Sequence, residues 1–312
     1  MTDTPRKLRE ELLFPRSSNK GLYVSMCQLK MKKDCCLGTG FQIDTEGTIT
    51  RAKICQCIKT CAACCGQARY NRPDGSRSCK EPNPLKLVNL INGAGVPSRY
   101  GTSRLDRFSN FTGNGKQVVN QVAKWLSQNT PKASRGMIIE GNVGVGKTYI
   151  LAGIALQWAK QGRSVKFVDF FQLLAQLRSA YSTNQADESL LRPLIDVDLL
   201  IIDELGKGRN NDWELSILDQ LVMGRYNQNK IVVASTNYKS ETGRKVPLAQ
   251  LDLTAPQSRF REDATDQTLE DRVGERIFSR LTETCDFLKL EGQDFRRMKR
   301  SGLNESTTRP TS

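Results

Sequence analysis

Short apolar runs that alternate with helical segments predict an α/β fold, in which a parallel sheet is flanked by helices. The runs at residues 137–139, 199–202 and 231–234 are continuously apolar. Continuous apolar runs are typical of strands that are buried on both faces. Between these runs, the sequence predicts helices over residues 147–161 and 213–226.

The chain divides into three parts by composition. Residues 1–80 are basic and rich in cysteine, and two prolines within residues 79–84 (C-K-E-P-N-P) predict a linker after them. We expect residues 1–80 to form a small metal-binding and partner-docking module. Residues 81–300 are expected to form the α/β domain, and residues 301–312 a disordered tail.

The charge of the chain lies mostly in its N-terminal quarter. The formal net charge is +14, and residues 1–80 carry +8 of it. Such a segment is either a solvated basic arm or a surface that contacts nucleic acid or an acidic partner. No apolar run approaches the ~20 residues that cross a bilayer, and the N-terminus lacks the apolar core of a signal peptide. We therefore expect a cytoplasmic protein without membrane contact.

A phosphate-binding loop is the clearest motif. Residues 141–148 read G-N-V-G-V-G-K-T, after a predicted strand and at the start of a predicted helix. Its glycines let backbone N–H groups cradle phosphates, Lys147 would reach the β- and γ-phosphates, and the Thr148 hydroxyl would bind Mg²⁺. The sequence thus predicts that ATP is bound by Gly141, Asn142, Val143, Gly144, Val145, Gly146, Lys147, Thr148 and Tyr149.

Two adjacent carboxylates follow the apolar run 199–202. At the carboxyl end of a parallel strand, Asp203 can hold Mg²⁺ and Glu204 can polarise the attacking water. Taken alone, the pair is equally typical of a solvated strand end. P-loop kinases of small molecules share the loop, but they do not need a water-activating glutamate directly after the metal-binding aspartate. The combination therefore predicts ATP hydrolysis.

A third polar position closes the run 231–234. The sequence continues S-T-N at residues 235–237, where a polar side chain could orient the lytic water beside the γ-phosphate. We assign this role to Asn237, with Thr236 as the second choice. Without the other motifs, the same three residues would be an ordinary turn.

Together these motifs resemble the helicase-loader branch of the AAA+ ATPases, the DnaC/DnaI type, and the related IstB proteins. The early block G-V-P-S-R-Y is the most specific to this branch, because phosphate chemistry does not require it. In order along the chain, the matching motifs are G-V-P-S-R-Y (residues 95–100), S-R-L-D-R-F (103–108), the P-loop, L-L-I-I-D-E-L-G (199–206), S-T-N and V-G-E-R-I-F-S-R-L (273–281).

The resemblance implies a role in DNA replication. An ATP-driven oligomer would load a replicative DNA helicase onto single-stranded DNA. Two alternatives remain: an IstB-like ATPase regulator of a transposase, and a nucleotide-gated DNA-binding adaptor with negligible turnover.

The resemblance also implies roles for arginines. Arg280 falls where the family carries the arginine finger that reaches a neighbouring subunit, and Arg276 lies one helical turn earlier on the same face. Arg296 falls near a late nucleotide-sensing arginine. Each of the three could instead be an ordinary surface ion-pair residue.

The cysteines predict a metal site. Eight of the ten lie between Cys27 and Cys65, and the chain has no histidine, so a zinc site would be all-thiolate. The resemblance implies a zinc module of the form C-x-x-C-x-G-T-G-F followed by C-x-C, although Lys33 stands where its first cysteine is expected. An iron–sulfur cluster and reduced thiols without metal are the alternatives. The candidate zinc ligands are Cys36, Cys55, Cys57, Cys61 and Cys64.

Overall fold

The fold was analysed in a computed structural model of the 312-residue chain. The structure describes residues 41–55, 69–72, 75–78, 85–108, 113–128, 135–182, 187–240 and 267–300. The predicted tail at residues 301–312 lies outside these ranges, as does most of the N-terminal cysteine segment.

From residue 115 onward, successive strands are separated by one or two helices. The strands are β1 (Phe41–Asp44), β2 (Arg51–Ile54), β3 (Arg69–Arg72), β4 (Gly75–Ser78), β5 (Gly136–Glu140), β6 (Val165–Asp169), β7 (Leu199–Asp203), β8 (Ile231–Thr236) and β9 (Cys285–Lys289). The helices are α1 (Leu85–Ala94), α2 (Gly115–Gln128), α3 (Lys147–Lys160), α4 (Phe170–Ser182), α5 (Asp187–Asp196), α6 (Asp212–Asn227), α7 (Leu269–Val273), α8 (Glu275–Thr284) and α9 (Phe295–Arg300). Short 3₁₀ turns span Ser98–Tyr100 and Leu105–Arg107.

A five-stranded sheet has the order β6-β7-β8-β5-β9. Strand β8 pairs in parallel with both β7 and β5, and β5 pairs in parallel with β9. Every residue of β7 and β8 is buried, which explains their continuous apolar sequences. The predicted α/β fold with a parallel sheet is confirmed. Helix α5, which contains Pro193, and the two hairpins β1–β2 and β3–β4 were not predicted.

The described residues fall into two compact units. The first takes its residues from Met1–Phe108, Val119–Asn129 and Ala152–Phe167, and the second from Ser109–Val118, Thr130–Leu151 and Val168–Ser312. No helix in the described part of the chain is both long and apolar enough to cross a membrane.

In the first unit, the β1–β2 hairpin packs on α1 and on the G-V-P-S-R-Y block. The Asn92 side chain imitates a neighbouring strand: its Oδ1 accepts from the Ala52 N–H at 2.6 Å, and its Nδ2 donates to the Ala52 carbonyl at 3.1 Å. The Thr50 N–H donates to the Val96 carbonyl at 2.7 Å. These contacts cross the domain boundary predicted at residue 80, and independent folding of residues 81–300 stays a prediction.

In the second unit, a fully buried arginine joins helix ends to strand starts. Arg225, on α6, has no exposed surface, and burial lowers its pKa to about 9. Its guanidinium donates to five carbonyl oxygens at 2.5–3.2 Å, those of Leu194, Ile195, Val197, Asp198 and Ile231. A charge without solvent is costly unless it is hydrogen-bonded, and these carbonyls satisfy both terminal nitrogens, whereas Nε is buried without a hydrogen-bond partner among the described residues. Arg225 thereby fixes where β7 and β8 begin.

Candidate nucleotide site

The site is assembled by the register of three parallel strands. Glu140 of β5 lies beside Thr236 of β8, and Ile202 of β7 lies beside Ala234 of β8. Gly141 follows Glu140 at the end of β5, Asp203 follows Ile202 at the end of β7, and Ser235 follows Ala234 in β8. The carboxyl ends of β5, β7 and β8 therefore meet at one edge, which is where open α/β sheets bind ligands.

The loop after β5 presents backbone donors at the start of a helix. Gly144 and Gly146 have φ of 84° and 105°, which side chains rarely adopt, and α3 begins directly after them at Lys147. Within the described part of the chain, no hydrogen bond is donated by the N–H groups of residues 143–146. The Val145 side chain is 2% exposed, whereas Val143 in the same loop is 57% exposed. These free donors suit a phosphate group.

Lys147 is buried at the centre of the site. Its ammonium donates to the carbonyls of Gly141 at 2.6 Å and Asn142 at 2.8 Å, and to Asn237 Oδ1 at 2.6 Å. Burial lowers the pKa of Lys147 to about 8, against the opposing effect of Asp203 and Glu204, while nearby Arg296 lowers it further. All three ammonium donors are therefore directed to oxygen atoms at the sheet edge.

Asp203 forms a polar cluster with two hydroxyl groups. Ser235 Oγ donates to Asp203 Oδ1 at 2.5 Å, and the Thr148 side chain is also hydrogen-bonded to this carboxyl. Burial raises the pKa of Asp203, because the charged form loses water. A buried carboxylate beside a threonine hydroxyl fits a hard divalent cation such as Mg²⁺, which would restore the stability of the charged form.

Glu204 continues the backbone beyond β7 in an unusual conformation. Its φ is 57°, and its N–H donates to Ser235 Oγ at 3.1 Å. The Glu204 carboxylate forms an ion pair with Lys207, which raises the pKa of Lys207. The Leu205 N–H donates to the Ser235 carbonyl at 2.7 Å, so the turn is fixed to β8. Sequence analysis missed Ser235 and Lys207, although Ser235 lies within the S-T-N motif.

The two polar candidates at the end of β8 point to different neighbours. Asn237 Oδ1 contacts the Lys147 ammonium, whereas Thr236 Oγ1 donates to the Leu205 carbonyl at 3.0 Å. Thr236 thus holds the backbone of the turn after Glu204. Only Asn237 is aimed at the phosphate-binding loop.

The segment after β9, in which the resemblance implied a nucleotide-sensing arginine at Arg296, lies against the P-loop. The Phe295 N–H donates to the Gly144 carbonyl at 3.0 Å, and a Cβ at Gly144 would come within 2.0 Å of Asp294 Oδ1. Gly144 is therefore required both by its backbone conformation and by this contact. The same segment brings the charge of Arg296 close enough to affect Lys147.

The two candidate finger residues lie on α8 and contact α6. Arg280 donates to Tyr226 Oη at 3.3 Å and to Glu283 Oε2 at 3.1 Å, and its guanidinium lies 4.6 Å from the Tyr226 ring centre. Arg276 is 3.6 Å from Asp219 Oδ1, and its side chain is 72% exposed. The structure gives neither arginine a contact with Lys147, Asp203 or Glu204.

The predicted metal site of the N-terminal segment falls mostly outside the described residues. This applies to Cys36, Cys57, Cys61 and Cys64. Cys55 is described and is buried. Among the described side chains, no group of three or more His, Cys, Asp or Glu could hold a metal ion. Zinc binding by the cysteine segment stays a prediction.

A P-loop, a buried lysine and a carboxylate–hydroxyl cluster at the end of a parallel sheet define a P-loop nucleotide-binding protein. Comparisons with known proteins refine this class. The family model described as IstB-like ATP binding protein matches residues 104–244. With the loader relatives described next, this match confirms the resemblance of this part of the chain to the DnaC/IstB-like AAA+ proteins.

The relatives include a protein without an assigned role and several loaders. YdaV of Escherichia coli K12 is 28% identical over 174 residues, which cover 54% of this chain and 69% of YdaV. The replicative helicase loader DnaC of E. coli K12 is 28% identical over 54% of this chain and 68% of its own. The DnaC loader of Buchnera aphidicola from Acyrthosiphon pisum is 25% identical, and this chain spans only 58% of its length. A crystal structure of the DnaC helicase loader aligns with 62% of this chain at a TM-score of 0.49 and 22% identity.

The pKa of Lys147 predicts that ATP affinity depends on pH. Burial lowers this pKa to about 8 in the free protein, and bound phosphates would raise it again. Above about pH 8, binding must therefore be coupled to proton uptake. We expect the Kd for ATP to rise up to ~tenfold per pH unit above the pKa of Lys147. Titration of ATP binding between about pH 7 and about pH 9.5 measures this.

A matched variant separates Lys147 from other titrating groups. Lys147→Arg keeps a positive charge throughout this pH range. It should bind ATP more weakly than the wild type and show little pH dependence. A wild-type Kd that stays constant across the range contradicts the expected role of the buried ammonium.

Proposed function

We propose that this chain binds ATP with Mg²⁺ and hydrolyses the γ-phosphate. The observation that carries the proposal is the meeting of Lys147, Asp203, Glu204 and Asn237 at one edge of the sheet. The family match, to proteins described as ATP-binding, supports the same substrate. A surface loop with chance glycines would not also bring a buried lysine and two carboxylates together.

The chemistry assigns one task to each side chain. Lys147 exchanges its carbonyl partners for the β- and γ-phosphates, and the free N–H groups of residues 143–146 hold the remaining phosphate oxygens. Bound to Thr148 and Asp203, Mg²⁺ would neutralise charge on the β- and γ-phosphates. Asn237 is released from Lys147 and orients the water. Glu204 leaves Lys207 and accepts the water's proton as the water attacks phosphorus and the bond to the ADP oxygen breaks.

Replacement of the Glu204 carboxylate by an amide tests this assignment. Glu204→Gln keeps the size of the side chain but removes its ability to accept a proton. We expect ATP affinity to stay within about twofold of the wild type and the turnover rate to fall by ~10²-fold or more. Equilibrium binding and steady-state hydrolysis measure the two quantities. The matched control is Glu46→Gln, on the exposed turn after β1, which should leave both unchanged. Wild-type turnover in Glu204→Gln would move the base to another residue.

We further propose that the ATPase loads a replicative helicase on single-stranded DNA. The support comes from the DnaC relatives, which are described as replicative helicase loaders, and from the basic N-terminal segment. In this proposal, residues 1–80 dock the partner, and an all-thiolate zinc site orders the cysteine segment. The family description keeps a second candidate open, an IstB-like ATPase that regulates a transposase.

Capture of the partner distinguishes the two candidates. The full-length chain should retain the replicative helicase of its own host in the presence of ATP, and should load it onto single-stranded DNA. Retention of a transposase, with no binding of the helicase, would support the regulator instead. Binding of DNA with no measurable hydrolysis under any condition would support an adaptor and contradict both.

We also propose that Arg280 acts on ATP bound by a neighbouring subunit. Its partners in this chain are a partly exposed Tyr226 hydroxyl and Glu283, both of which are replaceable by a phosphate. Arginine fingers contribute ~10³–10⁵ to the rate in other nucleotide hydrolases. Arg280→Ala should therefore bind ATP normally but hydrolyse it very slowly at every protein concentration.

Mixing two inactive variants tests the action between subunits. Lys147→Ala cannot hold the phosphates but keeps Arg280, whereas Arg280→Ala keeps an intact P-loop. Mixed assemblies should regain measurable hydrolysis at interfaces that combine the two intact parts. Arg192→Ala, which removes an exposed ion pair with Asp196, is the control and should be fully active alone. Absence of rescue in assemblies shown to be mixed would contradict the finger.

A further inference from the structure

The loop that follows Glu204 is irregular, and a hydrogen bond from the Lys207 N–H to the Glu204 carbonyl at 3.0 Å closes its first turn. It runs from the end of β7 to the start of α6 and contains no helix or strand. Gly206 and Asn210 have positive φ values of 84° and 60°. Because Glu204 also has a positive φ, the candidate base begins an irregular segment, and contacts from neighbouring elements contribute to its conformation.

One side of this loop is held by Glu214, in the first turn of α6. Glu214 is 3% exposed, and its Oε2 accepts from the N–H groups of Arg209 at 2.7 Å and Asn210 at 3.0 Å. Arg178 pairs with the other carboxylate oxygen. Glu214 therefore holds the donors at the far end of the loop but does not reach the residues next to Glu204.

The other side is held by Arg272, on α7. Its Nε donates to the Gly206 carbonyl at 3.0 Å, and its Nη2 donates to the Gly208 carbonyl at 2.5 Å. The same guanidinium lies 5.2 Å from the ring centre of Tyr238, which follows Asn237 in the chain. One side chain thus contacts the segment after the candidate base and the segment after the candidate water-orienting residue.

Arg272 is itself held by a well-anchored helix. Thr268 and Asp271 form a capping box at the start of α7, and the Leu269 N–H donates to the Lys239 carbonyl at 2.8 Å. Gly274, with φ of 83°, connects α7 directly to α8, which carries Arg276 and Arg280. The guanidinium therefore links the segment that carries the candidate finger to the turn that carries the candidate base.

We propose that Arg272 is a positioning residue for hydrolysis, which fixes the Glu204 turn against Tyr238 and so sets the geometry of Glu204 relative to Asn237. This inference rests on the proposed ATP hydrolysis. A planar guanidinium suits the task because it donates two hydrogen bonds in fixed directions while its face packs on an aromatic ring. Arg272 makes no described contact with the P-loop, so nucleotide binding does not depend on it.

The kinetic experiment separates positioning from binding. In Arg272→Ala we expect kcat to fall at least ~tenfold, because a displacement of ~1 Å at a catalytic group costs rate, while the Kd for ATP stays within about twofold. Arg272→Lys can keep one carbonyl contact but loses the planar fork, and its kcat should lie between Arg272→Ala and the wild type. The control is Arg163→Ala, because Arg163 also stacks on an aromatic ring, that of Trp158. This variant should keep the wild-type kcat and Kd.

Hydrogen exchange measures the same contact without any need for activity. The amides of residues 204–208 should exchange faster in Arg272→Ala than in the wild type, and the amides of β5 should be unchanged. Arg272→Lys serves for both measurements if Arg272→Ala does not fold. A wild-type protein without hydrolysis would overturn the proposed function, whereas unchanged exchange at residues 204–208 would overturn the role of Arg272. Unchanged kcat in a variant with faster exchange would overturn it as well.

Discussion

The site depends on the register of the parallel strands β5, β7 and β8. Their pairing places Glu140 beside Thr236 and Ile202 beside Ala234, so that the polar residues at the carboxyl ends of the three strands lie at the same edge of the sheet. A slip of one residue would turn the alternating side chains of a strand to the opposite face. Asp203 would then lose its hydrogen bond from the Ser235 hydroxyl, and Asn237 would lose its hydrogen bond from the Lys147 ammonium. Buried Arg225 donates to carbonyls near the end of α5, just before β7 and at the first residue of β8, and so contributes to holding β7 and β8 in this register.

The pKa shifts of Lys147 and Asp203 in the free site indicate which ligand charges would stabilise it. Burial raises the pKa of Asp203 and lowers that of Lys147, so the charged form of each group is destabilised in the free protein. For Lys147, the shift from 10.5 to about 8 corresponds to on the order of 3 kcal/mol. Phosphate beside Lys147 and a divalent cation beside Asp203 would relieve both penalties. The two groups thus favour joint binding of a nucleotide and a metal ion.

The sequence predicted the site residues that belong to short motifs of consecutive positions. The P-loop and the D-E pair each occupy consecutive positions, and the continuous apolar runs of β7 and β8 are readable without the fold. Contacts between distant segments were not predictable from such patterns. Lys207 pairs with Glu204 across one turn, but Ser235 and Arg272 reach their partners across 31 and 64–66 positions. Helix α5 was missed because Pro193 interrupts a pattern that its tertiary contacts nevertheless sustain.

Three arginines on adjoining helices illustrate why residue type alone does not assign a role. Arg272 donates to two loop carbonyls, so its removal leaves acceptors without partners in a partly buried place. Arg276 and Arg280 instead make exposed ion pairs, which typically contribute ~0–1 kcal/mol each. In the proposed oligomer, a phosphate on another subunit could therefore replace the partners of Arg280 at little cost to the fold. The same replacement at Arg272 would remove two hydrogen bonds from the loop after Glu204, which agrees with the proposed finger on α8 and the proposed positioning residue on α7.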